Sequence, residues 1–76
     1  MSESPREIET LDGEDTDILN RKGWHLVTHF RARKDSDSSS AYNNAVERCK
    51  AHNRQAGIRT VFKDDHTYYE VWDFWR

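Results

Sequence analysis

Five of the chain's nine aromatic side chains lie in its last nine residues, 68–76. The composition of this segment is typical of a β-strand, in which successive side chains point to opposite faces of the sheet. The aromatic and apolar side chains would be divided between Tyr68, Trp72 and Phe74 on one face and Tyr69, Val71 and Trp75 on the other. One of these faces can build the core of a small protein. The other is left with large rings, which are typical of a partner-binding surface.

The chain is short and poor in apolar side chains. Its 76 residues are 34% hydrophobic and 34% charged, which suffices for one domain with a small core. A deep, dry active-site pocket would use up these apolar residues, so we expect no enzyme. The sequence has no run of about 18 apolar residues to predict a membrane-spanning helix, and its polar, acidic N-terminus is unlike a secretory signal peptide. Because Cys49 is the single cysteine, we expect a reducing, cytoplasmic location.

Acidic residues are concentrated at the N-terminus. Residues 1–17 contain seven acids and one base, which leaves seven acids and eleven bases in residues 18–76. We therefore predict an acidic, flexible leader over residues 1–14 and a single small α+β domain over residues 15–76. Such a leader increases solubility, and it can also steer a basic partner or compete for a basic site.

Residues 15–33 predict a short helix followed by a strand. Acids at the start of 15–23, bases near its end and the terminal Gly23 suit a helix, with core contacts from Ile18 and Leu19. The alternation in residues 24–33 predicts a strand. Its inward face would carry Trp24, Leu26, Thr28 and Phe30, and its outward face His25, Val27, His29 and Arg31.

The rest of the chain predicts a long helix and a hairpin. Residues 39–55 form an amphipathic pattern that Gly57 would end. Its apolar stripe contains Tyr42, Ala45, Val46, Cys49 and either Asn53 or Ala56. Residues 58–63 and 68–75 alternate as strands around a turn at 64–66. The predicted fold class is therefore α+β, a short helix and then β-α-β-β, in which a three-stranded, mostly antiparallel sheet has one long helix packed on one face.

Two stretches resemble known families. Residues 19–27, Leu-Asn-Arg-Lys-Gly-Trp-His-Leu-Val, resemble the opening of small prokaryotic and phage domains of unknown function. The strand-helix-strand-strand pattern of residues 24–75 is similar to part of a SPOR peptidoglycan-binding domain. The second helix of that family is missing, however, and Trp72-Asp73-Phe74 stands where Gly-Pro-Phe is expected. Neither resemblance implies a role for a particular residue.

No motif in the sequence supports catalysis or a cofactor. His25 and His29 share a strand face, but at about 3.3 Å per residue they lie about 13 Å apart, too far to bind one zinc ion. Cys49 and His52 share a helix face, yet Cys49 lies in the predicted core stripe, where a free cysteine acts as a small hydrophobe. We therefore expect no catalytic residue, no metal and no cofactor.

Aromatic and basic side chains form the candidate binding surface. The sheet face opposite the long helix would be open and would carry His25, His29, Arg31, Arg59, Lys63 and half of the C-terminal aromatics. The residues that we expect to contact a partner are Tyr69, Trp72, Trp75, Arg31, Arg33, Arg59 and Lys63. Tyr, Trp and Arg are enriched at protein-interface hot spots. The function we expect is that of a small non-enzymatic protein-interaction module, such as a phage- or host-encoded inhibitor or adaptor, that occludes a partner through this face.

The sequence leaves three alternatives open. The same side chains suit single-stranded nucleic acid, because bases stack on exposed rings and phosphates bind cations. A homodimer would bury the second aromatic face if the C-terminal strand is an edge strand of the sheet. Tyr69 and Trp75 would instead be internal if the N-terminal segment covered them through Ile8 and Leu11.

Overall fold

The chain folds into a four-stranded mixed sheet with a helix on each face, over the part described by the computed structural model, residues 8–32, 36–52 and 55–75. The elements in chain order are β1 (Glu9–Thr10), α1 (Thr16–Lys22), β2 (Trp24–Arg31), α2 (Ser36–His52), β3 (Gln55–Lys63) and β4 (His66–Phe74). The predicted α+β class is confirmed. The details differ, because a fourth strand joins the predicted three and the short helix covers the second sheet face.

The C-terminal strand lies in the middle of the sheet. The strand order is β1-β3-β4-β2, with β4 antiparallel to both β3 and β2 and with β1 parallel to β3. The alternative in which the C-terminal strand is an edge strand of the sheet is therefore wrong. Its central position explains its apolar composition, because a central strand has neighbours on both sides and, in this fold, a helix on each face.

The two helices lie on opposite faces of the sheet. Leu19 of α1 packs with Leu11, Trp24 and Trp72 on one face, which we call the α1 side. Ala41 and Ala45 of α2 pack with Ala56 and Val71 on the other face, the α2 side. The connections β1-α1-β2 and β2-α2-β3 cross the sheet in opposite directions, so crossovers of the same hand place their helices on opposite faces. The face expected to be open is thus covered by α1 at one end.

A β-bulge at Val27 changes the side-chain pattern of β2. Leu26 lies opposite Trp72, whereas Thr28 lies opposite Val71, so Val27 is an extra residue between two consecutive partners. Such a residue reverses the alternation beyond it. Trp24 accordingly packs on the α1 side and Phe30 on the α2 side. The prediction that Trp24, Leu26, Thr28 and Phe30 share one face is therefore wrong, and so is its counterpart for His25, Val27, His29 and Arg31.

Residues 8–14, which the sequence placed in the leader, pack against the sheet. Glu9 and Thr10 pair with Gly57 and Ile58 of β3. Leu11 is only 4% exposed and belongs to the α1-side core. Residues 1–7, the rest of the predicted leader, lie outside the described residues.

The predicted short helix is confirmed and ends as expected. Gly23 adopts the left-handed conformation at φ 113° and donates its N–H to the Asn20 carbonyl at 3.2 Å, an arrangement that glycine adopts without a Cβ penalty. Of the two predicted core contacts, Leu19 is buried, but Ile18 is 40% exposed. A seven-residue helix packed on one face buries a narrow stripe, and Leu19 occupies it.

The long helix begins and ends three residues earlier than predicted. Its buried residues are Ala41 and Ala45, with Cys49 half-buried beside them, so the apolar stripe is displaced by one position from the predicted Tyr42. Asn53, an alternative member of the predicted stripe, lies outside the described residues. Ala56 lies in β3 rather than in the helix, and so does Gly57, which does not end it.

The C-terminal hairpin is confirmed. β3 and β4 pair over nine positions, from Gln55 opposite Phe74 to Lys63 opposite His66. Asp64 and Asp65 form the two-residue turn with φ of 53° and 62°, and positive φ at both central residues is what a type I′ hairpin turn requires. Aspartate tolerates this conformation better than most residues.

Candidate functional site

The structure divides the sequence-predicted binding residues between the two faces of the sheet. Tyr69 belongs to the α2 side, where it packs against the cluster of Val71. Trp75, one residue beyond β4, lies on the same side, since it stacks on His25, which is opposite Asp73. Lys63 lines a shallow depression on the α1 side, and Arg31, opposite Tyr68, points to that same side. Arg33 lies outside the described residues.

Two of the predicted binding residues belong to the interior. Trp72 is 1% exposed, and the Arg59 guanidinium lies 5.3 Å from the centroid of its ring. Arg59 Nε donates to Glu70 Oε1 at 2.6 Å, Nη1 to the Glu14 carbonyl at 2.7 Å and Nη2 to Thr16 Oγ1 at 3.0 Å. These bonds attach the start of α1 to the sheet. Arg59 therefore stabilises the fold, and Trp72 offers almost no surface to a partner.

Trp75 is 44% exposed but does not project freely. Its ring stacks on His25 with the centroids 3.9 Å apart, and its backbone N–H donates to the Gly23 carbonyl at 3.0 Å. These contacts hold the end of the chain against the start of β2. One face of the Trp75 ring is therefore already occupied within the molecule.

A groove on the α2 side is lined by the aromatic side chains of Tyr42 and Tyr69. Two adjoining cavities of about 430 Å³ and 210 Å³ lie between the first half of α2 and strands β1, β3 and β4. Together they are lined by Ile8, Glu9, Thr10, Asp12, Ser38, Ser39, Tyr42, Asn43, Ile58, Thr60 and Tyr69. Because both cavities include Tyr42, Ile58 and Thr60, they form one continuous depression, which we call the aromatic groove.

Three aromatic rings provide the accessible surface in and beside this groove. Tyr42 is 56% exposed on α2, and Tyr69 is half-buried in the floor. Phe62 follows Ile58 and Thr60 on the same face of β3 and is 73% exposed. An isolated apolar residue on a surface needs no explanation, but a cluster of large rings around a depression is typical of a binding site.

The groove results from the way α2 sits on the sheet. Ala41 and Ala45, completely buried against Ala56 and Val71, bring the helix close to β3 and β4. Tyr42 is displaced by about 100° around the helix from Ala41. Its side chain therefore lies at the flank of α2 rather than between the helix and the sheet. The sequence pattern placed Tyr42 in the buried stripe, whereas the helix buries the preceding residue, Ala41, and leaves Tyr42 at the surface. The small side chains of Ala41 and Ala45, four positions apart, could have indicated that α2 lies close to the sheet along this stripe.

Phe62 was likewise not among the binding residues predicted from the sequence. It lies two positions before the Asp64–Asp65 turn, at the end of the hairpin, with Thr67 opposite it on β4. Neither helix reaches this end of the sheet closely enough to cover the ring, which is 73% exposed. A large side chain beside a hairpin turn is itself a sign of exposure, because core packing concentrates away from the turn.

Among the described residues, one carboxylate side chain borders the groove. Glu9 and Asp12 both line it, and no described Lys, Arg or His does. Glu9 lies opposite Gly57 of β3, however, and Gly57 faces Leu11 and Trp24, so the Glu9 side chain points to the α1 side. Asp12 Oδ1 accepts the backbone N–H of Thr60 at 2.6 Å, which fixes this carboxylate at the edge of β3.

A second, more polar surface lies at the open end of the α1 side. A shallow cavity of about 310 Å³ is lined by His29, Val61, Lys63, Asp64, Tyr68 and Glu70. The Tyr68 ring lies edge-on to His29 at 6.0 Å and to His66 at 6.5 Å between centroids. We call this surface the basic patch, because Lys63 and Arg31 are its exposed cations. Glu70 is already paired with Arg59.

The described part of the chain contains no cluster of three or more His, Cys, Asp or Glu side chains arranged to hold a metal ion. Cys49 is a free, half-buried cysteine. None of the helices over the described residues has the length and apolar character needed to cross a membrane.

No protein-family model matches the sequence, and no match was found among curated proteins or solved structures.

Proposed function

We propose that this protein is a small, non-enzymatic interaction module that binds another protein through the aromatic groove and thereby occludes a surface of that partner. The observation that carries the proposal is the exposure of Tyr42 and Phe62 beside a continuous depression. Burying one such ring on binding contributes about 2 kcal/mol, so two or three rings suffice for a specific interaction. A phage- or host-encoded inhibitor or adaptor acts in this way.

The proposal revises the contact residues expected from the sequence. Tyr69 remains, because it forms part of the groove floor. Tyr42 and Phe62 take the place of the buried Trp72 and of Trp75, whose ring stacks on His25. The unpaired thiol of Cys49 suits a reducing compartment such as the cytoplasm, where we place the interaction.

A partner other than a second copy of the chain is favoured. A homodimer through an exposed sheet edge would use β2 or the end of β3 that the two-residue β1 leaves unpaired, since β4 is central. On β3, Asp12 Oδ1 already accepts the N–H of Thr60 at this edge. The bulge at Val27 interrupts the hydrogen-bonding edge of β2, and bulges of this kind are a known protection against edge pairing.

Binding of single-stranded nucleic acid by the basic patch is the second candidate function. It is favoured by the position of Tyr68 between Arg31 and Lys63, because a base can stack on the ring while phosphates contact the cations. Asp64 lines the same cavity and reduces its positive charge. The groove, with its larger aromatic surface, therefore supports the first candidate better.

The first candidate is tested by selecting ligands from a displayed library of short random peptides on the immobilised full chain. We expect selected peptides to lose affinity about tenfold or more with Tyr42→Ala or Phe62→Ser, because these changes remove central aromatic contacts. The matched controls are Ile18→Ala and Leu26→Thr, which remove exposed apolar side chains outside the groove. Circular dichroism checks that each variant is folded. Equal losses in the control variants, or unchanged binding in the groove variants, would contradict the proposal.

A further inference from the structure

The sheet edge beside the aromatic groove indicates the conformation in which a partner binds. We propose that an extended segment of the protein partner adds to β3 as a further strand and packs apolar side chains on Phe62 and into the groove. The inference rests on the proposed function and specifies how the partner is held. Strand addition of this kind obtains affinity from backbone hydrogen bonds and specificity from alternate side chains.

β3 has nine residues, whereas the strand beside it, β1, has two. β1 pairs with β3 at Gly57 and Ile58, and the Leu11 N–H donates to the Ile58 carbonyl at 2.9 Å. The chain then turns away from β3, since the Glu14 N–H donates to the Leu11 carbonyl at 3.2 Å and Gly13 has a φ of 81°. From there to the hairpin turn, β3 has no neighbouring strand on this side among the described residues.

Three backbone groups at this edge face outwards. Residues two apart on a strand present their N–H and carbonyl groups to the same edge, so Thr60 and Phe62 follow Ile58 in facing away from β4. Asp12 Oδ1 accepts the Thr60 N–H at 2.6 Å. Over the described part of the chain, this leaves the Thr60 carbonyl and both groups of Phe62 open to a ligand. An added strand, parallel or antiparallel, places two of its N–H groups, two residues apart, opposite these two carbonyls.

The Phe62 ring provides an apolar contact for such a strand. It is 73% exposed on the α2 side, the face that carries the aromatic groove. A ligand residue opposite Phe62 points to this same face, where aromatic and β-branched pairs stabilise neighbouring strands. The ligand residue opposite Thr60 points to the groove, which Thr60 and Tyr42 line. We therefore expect the partner segment to carry large apolar side chains two positions apart.

N-methylation of a selected peptide tests the pairing. Each methyl group removes one N–H of the peptide backbone. For a peptide whose binding depends on Tyr42 and Phe62, methylation at two positions, two residues apart, should weaken binding about tenfold. Methylation at the position between them is the matched control and should change binding less than about twofold, because that N–H faces away from β3. Losses without this alternation would overturn the inference and leave the proposed function intact. Peptides that bind independently of Tyr42 and Phe62 would overturn the proposed function itself.

Amide hydrogen exchange of the full chain provides a second measurement. Saturation with the same peptide should slow exchange of the Phe62 N–H about tenfold or more, because this N–H then donates to a peptide carbonyl. The Arg31 N–H is the control and should exchange at the same rate in both states. It faces the outer edge of β2, since the next residue, Ala32, donates to the Thr67 carbonyl of β4. Unchanged exchange at Phe62 would contradict the inference. So would protection of Phe62 that rises with the concentration of the chain alone, because the added strand would then belong to a second copy.

Discussion

Gly57 shows how closely the N-terminal segment approaches the sheet. A Cβ atom at this position would lie 2.7 Å from Leu11 Cδ1, 2.9 Å from Leu11 Cγ and 3.1 Å from Trp24 Cζ3. Such separations force neighbouring atoms to move. The glycine is therefore needed for the close packing of Leu11 rather than for an unusual backbone conformation.

We predict that Gly57→Ala lowers the free energy of unfolding by about 1–2 kcal/mol, because the added methyl group overpacks the contact with Leu11. Chemical denaturation measures this change. The control is a double-mutant cycle with Leu11→Ala, which creates room for the methyl group. The cost of Gly57→Ala should largely disappear in that background. Additive effects, or a Gly57→Ala variant as stable as the wild type, would show that the two residues are not in tight contact.

Arg59 shows that composition alone does not reveal whether a charged side chain is free to contact a partner. Its charge and its position in an alternating strand made it a candidate for a binding surface. The structure surrounds it with Glu70, the Glu14 carbonyl and Thr16. These contacts join positions up to 45 residues apart in sequence, so no local pattern could have predicted that the guanidinium would be occupied within the fold.

At the scale of the elements, the alternation of β3 and β4 and the turn between them could be predicted from the sequence. Each strand keeps an unbroken two-residue period, and Asp64–Asp65 suits a tight turn. β1 could not be predicted, because two residues carry no periodicity and their partner lies about fifty positions away. The reversal within β2 could not be predicted either, since no glycine or proline marks the bulge at Val27.

The bulge at Val27 leads to a testable prediction. Deleting Val27 leaves Trp24 and Phe30 five positions apart, so in a regular strand they still point to opposite faces and keep their partners on β4. The deletion should therefore cost only about 1 kcal/mol, as should Val27→Ala, which removes a half-buried side chain and keeps the bulge. Thermal and chemical unfolding measure both variants. A deletion variant that loses about 3 kcal/mol or more, as when a buried aromatic residue is lost, would contradict the assigned bulge.

For the molecule as a whole, the position of the candidate site depends on which parts of the sheet the two helices cover. α1 covers Trp24 and Trp72 at one end of its face, and α2 covers Val71 and Ala56 at the centre of the other. The far end of the hairpin is left open on both faces, with Phe62 on one and Tyr68 on the other. The sequence could predict surplus aromatics. It could not predict which were exposed, because that depends on where each helix ends over the sheet.

Nuclear magnetic resonance can show directly which surface of the molecule a ligand contacts. The measurement is the set of backbone amide shifts in a nuclear magnetic resonance spectrum of the isotope-labelled full chain, recorded with a selected peptide and, separately, with a single-stranded oligonucleotide. We predict that the peptide perturbs the amides of Tyr42, Ile58, Thr60, Phe62 and Tyr69, on the α2 side. Shifts confined to His29, Lys63 and Tyr68, or saturable shifts with the oligonucleotide alone, would contradict the account and favour nucleic-acid binding by the basic patch.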